Sequence, residues 1–141
     1  MPSAEFENLV ADFEFIDDWE ERYKYLIELG KDLPPFDEAD KSASHKVQGC
    51  VSQVWIKPST EQASDGSLHL HFTGESDAMI VRGLIQVLRI LINGLPVGEI
   101  TDMDVQGQLQ RLGLSEHLTP QRSNGLASMI RRIKDIASAA A

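Results

Sequence analysis

The chain has a single cysteine, Cys50, among its 141 residues. One thiol cannot form a disulfide within the chain, and it cannot build a multi-cysteine zinc or iron–sulfur site. Any chemistry at Cys50 must therefore use this sulfur alone, as a nucleophile or as a covalent carrier. The alternative is a small buried apolar residue, since free cysteine is among the most buried residue types.

Basic residues and long apolar runs are also scarce. Lys and Arg number 13 against 22 Asp and Glu, for a net charge of −9, whereas nucleic-acid binders present a basic footprint. No apolar run approaches the roughly 20 residues of a membrane span, and the acidic N-terminus does not resemble a signal peptide. We therefore expect no nucleic-acid or membrane partner, and a reducing, cytoplasmic location. The acidic surface either serves solubility or steers the protein toward a basic patch on a partner.

The length and a hydrophobic fraction of 42% predict one folded domain over residues 1–141. Ser3 is suited to cap a first helix, and Asp17 to cap a second that ends at Gly30. The apolar residues of the first helix fall on one face: Phe6, Leu9, Val10 and Phe13. Prolines then break the pattern, and residues 37–44 are polar enough for a surface loop.

A short antiparallel sheet is predicted next. Residues 51–57 are β-branched and aromatic, with Pro58 ending the strand, and residues 67–73 alternate between apolar and polar. Trp55 is expected in the core, because so large a ring on a strand dominates packing. Residues 46–48 are a candidate third strand. Gly49 and Cys50 would then form the bend between two strands, because glycine tolerates positive φ.

Helices follow the sheet. Ser76 opens a predicted helix to about Asn93, with an apolar stripe to cover the sheet. Gly83 interrupts this helix, which indicates a close contact with another backbone. A broken region, a helix over residues 105–112 and a last helix entered at Thr119-Pro120 complete an α+β prediction: a two- to three-stranded antiparallel sheet covered by helices.

Histidines supply the other candidate site residues. His69 and His71 share one strand face and could ligate a metal, but no third ligand lies nearby in the sequence, so no metal site is predicted. His45 or His117 could act as the base of a cysteine–histidine pair with Cys50. The sequence has no H-E-x-x-H, G-x-S-x-G or phosphate-loop motif.

Four blocks of the sequence carry a family resemblance. The run VQGCVSQVWI at residues 47–56 resembles the signature of the SufE family, the sulfur acceptors of iron–sulfur cluster assembly. In family order, WEERYKYLIELG at residues 19–30 resembles its second helix, and GESDAMIVRGLI at residues 74–85 the start of its central helix. HLTPQRSNGL at residues 117–126 resembles the entry to its last helix.

The resemblance implies a function that the patterns above do not give. A SufE-like protein is not itself an enzyme and holds no cofactor. It accepts persulfide sulfur on the residue matching Cys50 from a pyridoxal-phosphate-dependent cysteine desulfurase, either SufS-like or CsdA-like. It stimulates that desulfurase and passes sulfur to an iron–sulfur scaffold complex, whose scaffold proteins share its layout.

The family match also assigns site residues. Arg122 matches an arginine associated with desulfurase contact. Independently of the family, Gly49 is expected to shape the Cys50 loop, and Asp77, from its position beside the sheet, to fix it; both are expected at the partner-binding surface. We further expect the Cys50 thiol to be largely shielded at rest by apolar neighbours such as Val51 and residues of the helix from Ile80 to Leu91, since exposed thiolates oxidise. Two alternatives stay open: a peroxidase or hydrolase that uses Cys50 with a histidine, and an adaptor in which Cys50 is merely buried.

Overall fold

The computed structural model describes residues 3–50, 52–114 and 118–140. Two helices precede the sheet, and four follow it in the described part of the chain. In chain order the elements are α1 (Ala4–Phe15), α2 (Trp19–Gly30), a 3-10 turn (Glu38–Asp40), β1 (Val54–Gln62), β2 (Leu68–Ser76), α3 (Met79–Ile92), α4 (Val97–Asp102), α5 (Val105–Gln110) and α6 (Pro120–Ala140). The predicted α+β class is confirmed.

The two N-terminal helices begin at side-chain caps. The Ser3 hydroxyl accepts a hydrogen bond from the Phe6 amide and satisfies one of the free donors of α1, as predicted. The expected cap of α2 was wrong by one residue, because Asp18, not Asp17, accepts from the Glu20 amide. Each helix thus starts where an oxygen replaces the missing intrahelical acceptor.

The sheet has two antiparallel strands, paired from Val54 opposite Ser76 to Gln62 opposite Leu68. Both strands are longer than predicted. Pro58 does not end β1. The backbone groups of Val54 and Ile56, which face the same edge of the strand as those of Pro58, form hydrogen bonds with residues 47 and 45 and not with β2. The nitrogen of Pro58 therefore faces the outer edge of the strand, where a missing N–H breaks no ladder bond.

The candidate third strand is reduced to one isolated bridge between Lys46 and Trp55. Trp55 itself lies on the sheet face opposite the buried Val54 and Ile56, half-exposed beneath the Lys41 ammonium. The expectation that Trp55 belongs to the core is therefore wrong. Strand alternation places it on the outer face, because its neighbours on both sides are buried.

Helix α3 covers the inner face of the sheet. It starts at Met79, later than predicted, because Ser76 still belongs to β2 and its hydroxyl accepts from the Ala78 amide. The face of α3 toward the core is apolar and buried, at Ile80, Leu84, Val87, Leu88 and Leu91. A Cβ at Gly83 would overlap the Leu26 carbonyl of α2, so the predicted close backbone contact is confirmed.

Helix α6 packs against α4 and β1 and closes the cysteine side of the sheet. Its buried residues include Gly125, Leu126, Met129, Ile130 and Ile133. No helix in the described part of the chain is both long and apolar enough to cross a bilayer.

Candidate functional site

Gly49 and Cys50 lie in a tight turn that precedes β1. Gly49 has a φ of +88°, a region that L-residues with a Cβ rarely adopt. A Cβ built on it would lie 2.6 Å from the Ser128 hydroxyl of α6. The turn therefore needs glycine for two reasons, backbone conformation and space.

The Cys50 side chain lies beside a cavity of about 200 Å³ between the turn, β1, α3 and α6. One part of its wall is apolar, formed by Val54, Val81, Leu84, Leu126 and Met129. The exposed residues Thr119, Gln121 and Arg122 line its solvent side. The thiol thus sits between an apolar interior and a polar rim.

Partial burial favours the neutral form of the Cys50 thiol. The Sγ atom lies 3.6 Å from the carbonyl oxygen of Gly125, to which the thiol donates a weak hydrogen bond. Burial raises the pKa of the Cys50 thiol above its ordinary value. As expected, the resting sulfur is not freely solvated, and Val81 and Leu84 of α3 line its cavity; Val51, the other expected neighbour, lies outside the described residues.

Asp77 holds the chain that leaves the turn. Its carboxylate accepts a hydrogen bond from the Gln53 amide at 3.1 Å, and its own amide donates to the Gln53 carbonyl at 3.4 Å. The side chain itself is exposed. Asp77 thus ties the end of β2 to the residues that follow Cys50.

Arg122 lies on the first turn of α6 and lines the same cavity as Cys50. Its amide donates to the Thr119 hydroxyl at 3.2 Å, which makes Thr119 a cap for a helix that begins with Pro120. The guanidinium is exposed and makes no hydrogen bond or ion pair with the residues that the structure describes. It is therefore available to a group from outside the chain.

The three histidines that the structure describes do not line the cavity beside the thiol. His45 directs Nδ1 to the Asp40 carbonyl at 2.8 Å, and no histidine among the described residues lines the Cys50 cavity. His117, the other predicted base, lies outside the described residues. His69 and His71 are both partly exposed: His69 contacts the Gly94 carbonyl and His71 contacts Glu61. Within residues 3–50, 52–114 and 118–140, no three potential ligands cluster for a metal.

The sequence does not indicate which residues of α6 contact the cysteine turn. Gly125 and Ser128 approach Cys50 and Gly49 from more than 70 positions away along the chain. A glycine inside a helix is unfavourable and can mark a close contact, as at Gly83, but neither Gly125 nor Ser128 indicates which segment of the chain it approaches.

Fold and site together define a class: a small α+β protein whose only thiol lies on a glycine turn beside a half-apolar cavity. Residues 7–137 match the family model SufE, described as an Fe-S metabolism associated domain. The chain belongs to the SufE family, as its sequence motifs predicted.

Curated relatives agree with this assignment. The chain is 48% identical over 128 residues to an uncharacterized SufE-like protein of Rhizobium meliloti strain 1021, covering 91% of each chain. It is 43% identical over 132 residues to an uncharacterized SufE-like protein of Rhizobium etli, covering 94% of this chain and 88% of the relative.

A solved structure shares the fold. The solution structure of a hypothetical protein from Thermus thermophilus superimposes with a TM-score of 0.77, covering 99% of this chain and 98% of that one. The two sequences are 20% identical, so the likeness concerns the fold alone.

Proposed function

We propose that this protein accepts sulfur from a cysteine desulfurase onto Cys50, stimulates the desulfurase by clearing its product, and passes the sulfur to iron–sulfur cluster assembly. The observation that carries the proposal is the placement of the only thiol of a SufE-family chain on a glycine turn beside a cavity. The family is associated with Fe–S metabolism, which makes sulfur the appropriate cargo.

The transfer is a thiol exchange. The Cys50 thiol loses its proton to solvent or to a base of the partner, and the thiolate attacks the outer sulfur of a persulfide on the desulfurase. A bond forms between Cys50 Sγ and that outer sulfur, while the original sulfur–sulfur bond breaks. The desulfurase cysteine leaves as a thiolate, so the step needs no external oxidant or reductant.

The resting geometry suits storage more than attack. Burial raises the pKa of the Cys50 thiol, and the Gly125 carbonyl accepts its proton in a hydrogen bond. A thiolate has no proton to donate there, so reaction requires the turn to leave the cavity and enter a more polar partner site. The partner therefore both receives the turn and promotes its deprotonation.

The polar rim supports a docking role for Arg122. Its guanidinium is exposed beside the cavity and has no ion-pair partner in the described residues. A carboxylate or paired backbone carbonyls of the desulfurase would suit its planar fork of donors. Asp77 and Gly49 contribute indirectly, one by holding Gln53 and the other by permitting the turn.

Stimulation of a desulfurase tests the proposal. Wild-type protein should increase the turnover of cysteine to alanine, whereas Cys50→Ser should give no stimulation while unfolding at the wild-type temperature, since the two side chains are nearly the same size. Full stimulation by Cys50→Ser would leave only an allosteric activator. Peroxide or ester turnover by the wild type without a desulfurase would instead support the thiol-enzyme alternative.

A further inference from the structure

The chain that enters the cysteine turn is held by an arginine of the last helix. Arg132 Nη2 donates to the Ser44 carbonyl at 2.5 Å, and Nη1 donates to the Lys46 carbonyl at 3.4 Å. Just beyond this contact, the Val47 amide donates to the Val54 carbonyl of β1 at 2.8 Å. The entry to the turn is thereby fixed to both α6 and the sheet.

One face of α6 contacts the turn and its entry in succession. Gly125, Ser128 and Arg132 are spaced three and four residues apart, so they lie along one face of the helix. The first accepts from the Cys50 thiol, the second packs against Gly49, and the third binds the carbonyls before the turn. Beyond the turn, Asp77 holds Gln53. The cysteine turn is therefore held on both sides, by Arg132 before it and by Asp77 after it.

We propose that Arg132 is a positioning residue for Cys50, because it fixes the entry to the turn. In the free protein this fixed entry keeps the thiol against Gly125. When the turn moves into the desulfurase, the fixed entry limits the thiol to a narrow range of positions. The consequence for transfer rests on the proposed function, whereas the effect on the resting thiol does not. The Arg132 guanidinium offers each carbonyl its own nitrogen, whereas a lysine at this position would have to reach both carbonyls from one ammonium.

The first test uses the free protein. The rate of Cys50 alkylation by iodoacetamide is measured at one pH for the wild type, Arg132→Gln, Arg132→Lys and Arg131→Gln, together with thermal unfolding of each. Arg131 is the adjacent residue and is exposed, so it is the matched control. Arg132→Gln loses both charge-assisted hydrogen bonds, and losing even one of them should accelerate alkylation at least about tenfold. Arg132→Lys should be accelerated less, and Arg131→Gln should match the wild type.

The second test adds the desulfurase. Arg132→Gln should lower the maximal stimulation several-fold and leave the half-saturating protein concentration unchanged, because delivery of the thiol suffers and docking does not. A simply misfolded or weakly docking variant would not give this split.

Each outcome decides a separate point. A wild-type alkylation rate in folded Arg132→Gln, a wild-type rate in Arg132→Lys, or equal acceleration in Arg131→Gln would overturn the positioning role. If Arg132→Gln fails to fold, the comparison of Arg132→Lys with the wild type decides the same question. If the wild-type protein does not stimulate the desulfurase at all, the proposed function fails, while the alkylation comparison still tests the role of Arg132 at rest.

Discussion

Replacing Gly49 with alanine should open the cysteine turn. At φ +88°, a residue with a Cβ costs about 1–2 kcal/mol relative to glycine. The added methyl would also lie 2.6 Å from the Ser128 hydroxyl and 3.4 Å from the Ser128 Cβ. Both costs exist only while the turn is packed against α6. Because about 1.4 kcal/mol corresponds to a factor of ten, the open state should gain about tenfold in population.

Alkylation of Cys50 and denaturant unfolding measure the two sides of this effect. Gly49→Ala should raise the alkylation rate about tenfold, while the free energy of unfolding falls by no more than about 2 kcal/mol, since opening the turn relieves the strain. Ser128→Ala removes the closest atom and leaves the φ cost. The double variant should therefore be alkylated at a rate between those of wild type and Gly49→Ala.

The reasoning fails if Gly49→Ala retains both the wild-type alkylation rate and the wild-type stability. That result would mean that the turn accepts a Cβ without leaving α6. A rate in the double variant equal to that of Gly49→Ala alone would refute only the steric part, leaving backbone conformation as the whole cause.

Three further predictions concern the fold, pH and docking. Gly83→Ala places a methyl group against the Leu26 backbone and should lower the free energy of unfolding in urea by at least about 1–3 kcal/mol. Gly98→Ala places its methyl group in open space and should not lower it. Burial raises the pKa of the Cys50 thiol in the folded protein. The stability that the neutral thiol contributes is therefore present below the pKa of the unfolded state and is lost as the pH rises through the pKa of the folded state. In Cys50→Ser, the free energy of unfolding should not show this fall at alkaline pH. Arg122→Ala should weaken desulfurase binding by about 1–3 kcal/mol with unchanged thermal unfolding, and lower stability with unchanged affinity would refute docking.

Local patterns in the sequence predicted most of the fold. The Ser3 cap, the apolar face of the first helix and the close contact at Gly83 follow from residue types at fixed spacing, and the structure confirms them. The ends of the strands were harder to predict from the sequence. Whether Pro58 breaks a strand depends on which edge its nitrogen faces, and that is set by the register of β1 with β2 rather than by the residues around Pro58.

The candidate site also has one part that local sequence predicts and another part that depends on tertiary packing. Gly49 and Cys50 could be singled out because a glycine before a lone cysteine is a local signal, and the family motif strengthened it. The orientation of Trp55 away from the core depends on the register of the sheet. The contacts of Gly125, Ser128 and Arg132 depend on how α6 packs beside the turn, so nothing near Cys50 in the sequence predicts them.

The most direct test of sulfur acceptance is the intact mass of the protein after incubation with a desulfurase, cysteine and pyridoxal phosphate. We predict a gain of one or more sulfur masses, which a thiol reductant removes, which lies on the peptide containing Cys50, and which is missing from Cys50→Ser. Unchanged mass with an active desulfurase, or an equal gain in Cys50→Ser, would contradict it.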